Sequence, residues 1–220
     1  MVKAIIFDLD GTLCDTIDDI RTAVNAMLQK LGYKTRTRAE ILKCINNGAK
    51  ELIRRSLPKD VQKVDFIVDS ALEVYAMEYA KCYCKKTKPF EGIKALVSEL
   101  KSRGYKLAVL SNKQDDFVKT IVTEIFGRGI FNVVMGYKDM PPKPNPASAI
   151  AIAKKLGVKV DSCVVIGDSD VDVQTAINAQ MQVIGVSWGY REVELLRETG
   201  ALNIAESPFD IIKIIDNFNE

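Results

Sequence analysis

Acidic, hydroxyl and lysine side chains recur in this chain directly after short apolar runs. The first group is Asp8 and Asp10 in Phe7-Asp8-Leu9-Asp10-Gly11-Thr12, behind the apolar stretch 2–7. Two crowded carboxylates repel unless a cation lies between them or one is protonated. A hard divalent ion with oxygen ligands answers that, and magnesium takes few carboxylates and keeps several waters. Asp10-Gly11 is otherwise a strand-ending turn. The second group, Ser111-Asn112-Lys113, offers a hydroxyl and an amide to a phosphate oxygen, although Ser-Asn also starts ordinary loops. The third is Lys143 in Pro141-Pro142-Lys143-Pro144-Asn145-Pro146, where prolines on both sides restrain the backbone. The fourth is Gly167-Asp168-Ser169-Asp170-Val171-Asp172. Asp170 there is a natural helix cap, and Asp168 stands at a strand end where it can complete a cation site begun by Asp8 and Asp10.

These groups need a scaffold that brings them together. Stretches 2–7, 105–110, 131–135, 163–166 and 182–186 read as buried strands, rich in β-branched residues. Between them lie helical patterns: Ile93, Leu96, Val97 and Leu100 before Gly104; about 145–156 before Gly157; and a third from Asp170. Alternation of this kind predicts an α/β fold, a Rossmann-like, doubly wound parallel sheet with helices on both faces. Open sheets of that class bind ligands at the carboxyl ends of their strands, which is where all four groups fall.

Residues 16–87 break the alternation. Helical patterns run through Ile17, Ile20, Val24, Met27, Leu28 and Leu31, then 39–45, 49–57 and 61–85, with no convincing strand. Thr16 with Asp19 resembles a capping box. The expected organisation is a core of 1–15 and 88–220 carrying an inserted all-helical domain of 16–87.

Composition narrows the function further. The 220 residues are 47% hydrophobic and 27% charged, with a net charge of +2 and no basic block, which points away from nucleic acid and anionic membranes as partners. No apolar run approaches the ~18 residues of a membrane span. Five cysteines without an export signal read as free thiols in a reducing cytoplasm. There is no histidine, so any general acid or base must be another side chain.

In order, the four motifs resemble those of the haloacid dehalogenase superfamily, in the branch with a helical cap after the first motif. The resemblance covers the whole chain. It implies that Asp8 attacks phosphorus and becomes an aspartyl-phosphate, while Asp10 protonates the leaving oxygen and then activates water. It implies that Ser111 and Lys143 hold the phosphoryl group, with Gly11, Thr12 and Asn112 adding phosphate contacts. Mg²⁺ would rest on Asp8, the Asp10 backbone carbonyl and Asp168, with Asp172 in a supporting or water-mediated role. One departure is Ala179-Gln180-Met181, where the family often has Ala-Gly-Met.

Within the superfamily, Asp10 argues against the dehalogenase branch, which lacks that second acid. The phosphonate-cleaving branch needs a cap lysine as Schiff base, and nothing marks one here. The hexose-phosphate mutase branch shares all four motifs but uses a cap histidine, which this chain lacks; it ranks second, beside nucleotidases and pyrophosphatases. A non-catalytic phosphate binder would not need both Asp8 and Asp10. The best likeness is to phosphoglycolate phosphatases, resting on Ser111-Asn112-Lys113, Ser187-Trp188-Gly189-Tyr190-Arg191 and Asn46-Asn47-Gly48-Ala49-Lys50-Glu51-Leu52. Asn47, ahead of a helix, and Lys50 are candidates for a substrate carboxylate, with Arg54 and Arg55 as further cations; all of these serve equally as a solvated helix face. The expected substrate is a small phosphorylated metabolite, and the expected assembly a monomer or homodimer.

Overall fold

Β-branched and other apolar residues in short blocks, separated by amphipathic helices, set the layout of the computed structural model, which describes all 220 residues. The chain forms two compact units, Met1–Cys14 with Pro89–Glu220, and Asp15–Lys88.

The larger unit opens with β1 (Ala4–Phe7), whose four residues are all buried. Two-residue strands, β2 (Cys14–Asp15) and β3 (Lys88–Pro89), lie where the chain leaves and re-enters this unit. In chain order, the smaller unit holds α1 (Ile17–Lys30), α2 (Arg38–Leu42), α3 (Gly48–Ser56) and α4 (Asp65–Tyr79). The larger unit continues with α5 (Ile93–Ser102), β4 (Lys106–Gln114), α6 (Asp115–Phe126), β5 (Val133–Tyr137) and α7 (Ala147–Leu156). It ends with β6 (Cys163–Gly167), α8 (Asp170–Asn178), β7 (Gln182–Val186), α9 (Val193–Thr199), β8 (Ile204–Ala205) and α10 (Asp210–Asn219).

Six strands make one parallel sheet in the order β5-β4-β1-β6-β7-β8. The chain fills one side of β1 with β4 and β5, then crosses to fill the other with β6, β7 and β8. The strand order therefore reverses around β1, and the carboxyl ends of β4, β1 and β6 border the crevice that this topology creates. Alternate residues point to one face. Ala4, Ile6, Ala108, Leu110, Cys163 and Val165 pack in this way with Ala149, Ile152, Ala153 and Leu156 of α7 and Ala176 of α8.

The second strand of the core runs further than the expected end at 110, and the departure at Gln180 is accommodated. Ser111-Asn112-Lys113 does not start a loop, because β4 runs on to Gln114. Pairing with β5 shifts register between Leu110 and Gln114, and such an irregularity re-aims side chains at a strand end. Gln180, in the place of the family's usual glycine, takes the left-handed conformation at φ 57°. The Met181 N–H bonds back to Ala176 and closes a Schellman-type helix end, so the turn forms despite the Cβ.

In the smaller unit α1 packs on α4 and α2, and α3 packs on α4. Its interior holds Ala23, Val24, Met27 and Leu28 with Val68, Ala71 and Tyr75. Thr16 and Asp19 do not form the expected capping box. Thr16 makes no side-chain cap bond. Asp19 is buried, and its carboxylate accepts from the Lys86 N–H and from the N–H and hydroxyl of Thr87, tying the end of this unit to its first helix. The capping box belongs to Thr37 and Glu40 at the start of α2. All five cysteines are free thiols. No helix is long and apolar enough to cross a membrane.

Candidate active site

Sheet register brings the first, second and fourth motifs together. Phe7 stands level with Val109 on one side and Ile166 on the other. One step beyond lie Asp8, Leu110 and Gly167, and just past them Ser111 and Asp168. The residues are remote in sequence and adjacent at the strand ends.

Asp8, Asp168 and Asp172 are buried, and each places a carboxylate oxygen within 4.8 Å of the others. Lys143 stands among them, also buried. Its ammonium donates to Asp8 at 2.7 Å, to Asp172 at 2.6 Å and to the Leu110 carbonyl at 3.1 Å. Burial works against the charge on Lys143, but the Asp172 and Asp8 carboxylates outweigh it and hold the group protonated. Burial pushes the Asp8 carboxyl well above the usual range; Lys143 pulls it down, while Asp172, Asp168 and Asp10 push it up. Asp168 rises to about 7, through burial first and Asp172 second, against hydrogen bonds from Tyr190 and Thr12 and the charge of Lys143.

Three buried carboxylates around one ammonium leave an excess of negative charge in a low-dielectric site. An all-oxygen donor set that is mutually repelled in this way suits a hard divalent cation, so the residues present fit Mg²⁺. Asp8, Asp168 and Asp172 are the side chains that would hold it. The expectation placed Asp172 in a supporting role; in the structure its carboxylate belongs to the cluster, paired with Lys143 and bonded to the Ser169 hydroxyl at 2.6 Å. The Asp10 carboxylate is not in this cluster. It is paired with the Lys113 ammonium.

The remaining motif residues bond to this centre and to one another. Asn112 was expected on phosphate, yet its side-chain amide forms a reciprocal pair with the Lys143 backbone, donating to the carbonyl at 2.9 Å and accepting from the N–H at 2.8 Å. That pair fixes the Lys143 loop to the end of β4. Thr12 is fully buried and gives its hydroxyl to Asp168 at 3.1 Å. Ser111 is buried, and its hydroxyl accepts from the Lys113 N–H at 3.2 Å. Gly11, at φ 96°, passes so close to Asp168 that a Cβ would stand 2.7 Å from its carboxyl carbon.

A family model described as haloacid dehalogenase-like hydrolase matches residues 5–186, the span from β1 through β7 that carries all four motifs. This chain belongs to the haloacid dehalogenase-like hydrolases. A phosphoglycolate phosphatase of Psychrobacter arcticus is 32% identical over 220 residues, covering 97% of this chain and 94% of that one. A phosphoglycolate phosphatase of Aquifex aeolicus is 30% identical over 217 residues, covering 98% of each. A crystal structure from Lactobacillus delbrueckii subsp. bulgaricus, assigned as a phosphoglycolate phosphatase, superposes with a TM-score of 0.89 at 34% identity, covering 97% of this chain and 98% of that one.

In this hydrolase the segment after β7 also reaches the centre, which sequence reading did not foresee. The Tyr190 N–H donates to Asp168 at 2.7 Å, and the Trp188 indole donates to the Thr12 carbonyl at 3.1 Å. Gly189 passes against Asp168, where a Cβ would come within 2.6 Å of the carboxyl carbon. The signal was present, because Ser187-Trp188-Gly189-Tyr190 follows a strand just as the four motifs do. The helical-unit candidates are placed differently. Asn47 precedes α3 without a side-chain cap bond, Lys50 pairs with Asp69 at 2.5 Å, and Arg54 pairs with Asp65 at 2.8 Å and Glu51 at 3.0 Å. Arg55 is 3.8 Å from Glu51.

The electrostatics predict a pH-dependent response to metal. Asp168 binds a proton up to about pH 7 in the fold but only to about 3.9 in an unfolded chain. The folded state therefore holds more protons between those values, and metal-free stability falls as pH rises through that window. A bound cation replaces the proton. The rise in melting temperature on adding Mg²⁺ should be several degrees at pH 8 and much smaller at pH 5. Equal shifts at the two pH values would contradict the arrangement.

Proposed function

We propose that this hydrolase is a magnesium-dependent phosphatase acting on a small phosphate monoester through an aspartyl-phosphate on Asp8, with 2-phosphoglycolate as its preferred substrate. The observation that carries this reading is the division of the two motif-one aspartates. Asp8 lies buried in the carboxylate cluster against Lys143, and Asp10 lies outside it beside Lys113. This reading gives the attack to Asp8 and the proton transfer to Asp10.

In the first half-reaction an Asp8 oxygen attacks phosphorus while the ester oxygen departs, taking a proton from Asp10. In the second, Asp10 removes a proton from water as that water attacks phosphorus, releasing phosphate and restoring Asp8. Splitting the displacement makes each step easier, and the residue that acts as acid returns as base. Lys143 balances charge on the phosphoryl oxygens, and the Ser111 hydroxyl, at the end of β4, offers them a donor. Mg²⁺ held by Asp8, Asp168 and Asp172, with the Asp10 backbone carbonyl, would supply further positive charge against the phosphoryl group. In this reading the helical unit is the cap domain of the family. The names of the two curated relatives support phosphoglycolate over other monoesters.

The test is kcat/KM over a panel of phosphorylated metabolites with and without Mg²⁺. Metal-dependent hydrolysis with 2-phosphoglycolate ahead by about tenfold or more is expected. A nucleotide or sugar phosphate far ahead of it would overturn the substrate assignment. Conversion of a hexose 1-phosphate to the 6-phosphate without phosphate release would favour the mutase reading.

A further inference from the structure

Neither motif reading nor family likeness gave Lys113 a role, yet its ammonium is paired with Asp10 and its side chain is only 8% exposed. We propose that Lys113 is a specificity-determining residue that binds a carboxylate on the leaving alcohol, so that the enzyme selects phosphate monoesters of 2-hydroxy acids. This rests on the phosphatase reading and names the residue that would read the substrate.

The argument is one of reach and charge. Asp10 must come within about 3 Å of the ester oxygen to transfer a proton. Lys113, one hydrogen bond further out, then stands roughly 5–6 Å from that oxygen. In a 2-phosphonooxy carboxylate the carboxyl group hangs from the carbon that bears the ester oxygen, so its oxygens can come within reach of Lys113. A carboxylate brought beside Asp10 meets a like charge unless a cation lies with them. An ammonium carries three N–H donors and can bridge more than one carboxylate.

Lys113 differs from the other cations in its partner, which is Asp10. Lys143 is committed to Asp8, Asp172 and the Leu110 carbonyl, on the phosphoryl side. Lys50 and Arg54, the cations first favoured for this role, are held by Asp69, Asp65 and Glu51 within their own unit. The Lys113 backbone is anchored by its N–H to the Ser111 hydroxyl, which fixes the origin of the side chain at the strand end.

The experiment compares kcat/KM for 2-phosphoglycolate with that for its neutral isostere, phosphoglycolamide, in wild type, Lys113→Met and Lys113→Arg. A charged hydrogen bond contributes enough for wild type to favour the acid by roughly tenfold to a hundredfold. Lys113→Met should lose most of that preference, and Lys113→Arg, which keeps the charge, should retain part of it. An equal fall for both esters in Lys113→Met would mean that Lys113 serves Asp10 alone and would overturn the inference. So would an unchanged preference, or a wild type that does not distinguish the two. If wild type hydrolyses neither ester with Mg²⁺ present, the phosphatase reading itself fails, and the inference with it.

Discussion

Replacing Asp8 by asparagine should abolish turnover while leaving the protein folded. The amide has no nucleophilic oxygen, so the covalent half-reaction has no start, and a fall in kcat of about 10⁴-fold or more is expected. Stability should move the other way. The ionised Asp8 carboxylate is disfavoured by burial and by Asp172, Asp168 and Asp10. The amide removes that repulsion and leaves Lys143 paired with Asp172. In chelator at pH 8 the variant should melt no lower than wild type, and its stabilisation by Mg²⁺ should shrink because one ligand is gone. Steady-state assays and melting curves with and without metal measure both effects. Wild-type rates in Asp8→Asn, with contaminants excluded, would remove Asp8 as the nucleophile.

Lys143→Met should damage both activity and folding. Lys143 is the cation that holds Asp8 and Asp172 in a buried site, and removing one partner of a buried ion pair typically costs about 3–5 kcal/mol. Loss of its charge on the phosphoryl side should lower kcat/KM by about 10³-fold. The pH dependence distinguishes this cause from a simple packing defect. Without the ammonium, which pulls both groups down, Asp8 and Asp168 favour protonation even more in the fold, so the native state binds more protons than the unfolded chain above about pH 4. The deficit in melting temperature relative to wild type should therefore narrow as pH falls from 8 to 5. A pH-independent deficit would indicate lost packing alone. Urea denaturation at several pH values provides the measurement.

The motifs were readable because each carries its own local signature. A short apolar β-branched run followed by polar residues marks a strand end, and strand ends of a parallel sheet converge. That rule places Asp8, Ser111 and Asp168 at strand ends from sequence alone, and the prolines around it single out Lys143. The α/β core and the helical insertion were legible from the change in apolar periodicity. Less legible was what a polar side chain does once it arrives. Asn112 and Thr12 carry groups suited to phosphate, but the fold gives the Asn112 amide to the Lys143 backbone and the Thr12 hydroxyl to Asp168. Asp19 looked like a local helix cap, and it binds Lys86 and Thr87, more than sixty residues away, instead.

By itself, then, the sequence determined the family, the order of the elements and the set of residues at the strand ends, because these depend on periodicity and on residue type at short range. Only the tertiary structure decided the partners. Whether Asp172 stands beside Lys143, whether Asp10 pairs with Lys113, and whether Tyr190 reaches Asp168 depend on distances across the sheet between residues up to 103 apart. Those distances follow from register and strand order, which place Asp8 in the carboxylate cluster around Lys143 and Asp10 outside it, beside Lys113. The type of chemistry is carried by the side chains, and the division of roles among like side chains is carried by where the sheet sets them.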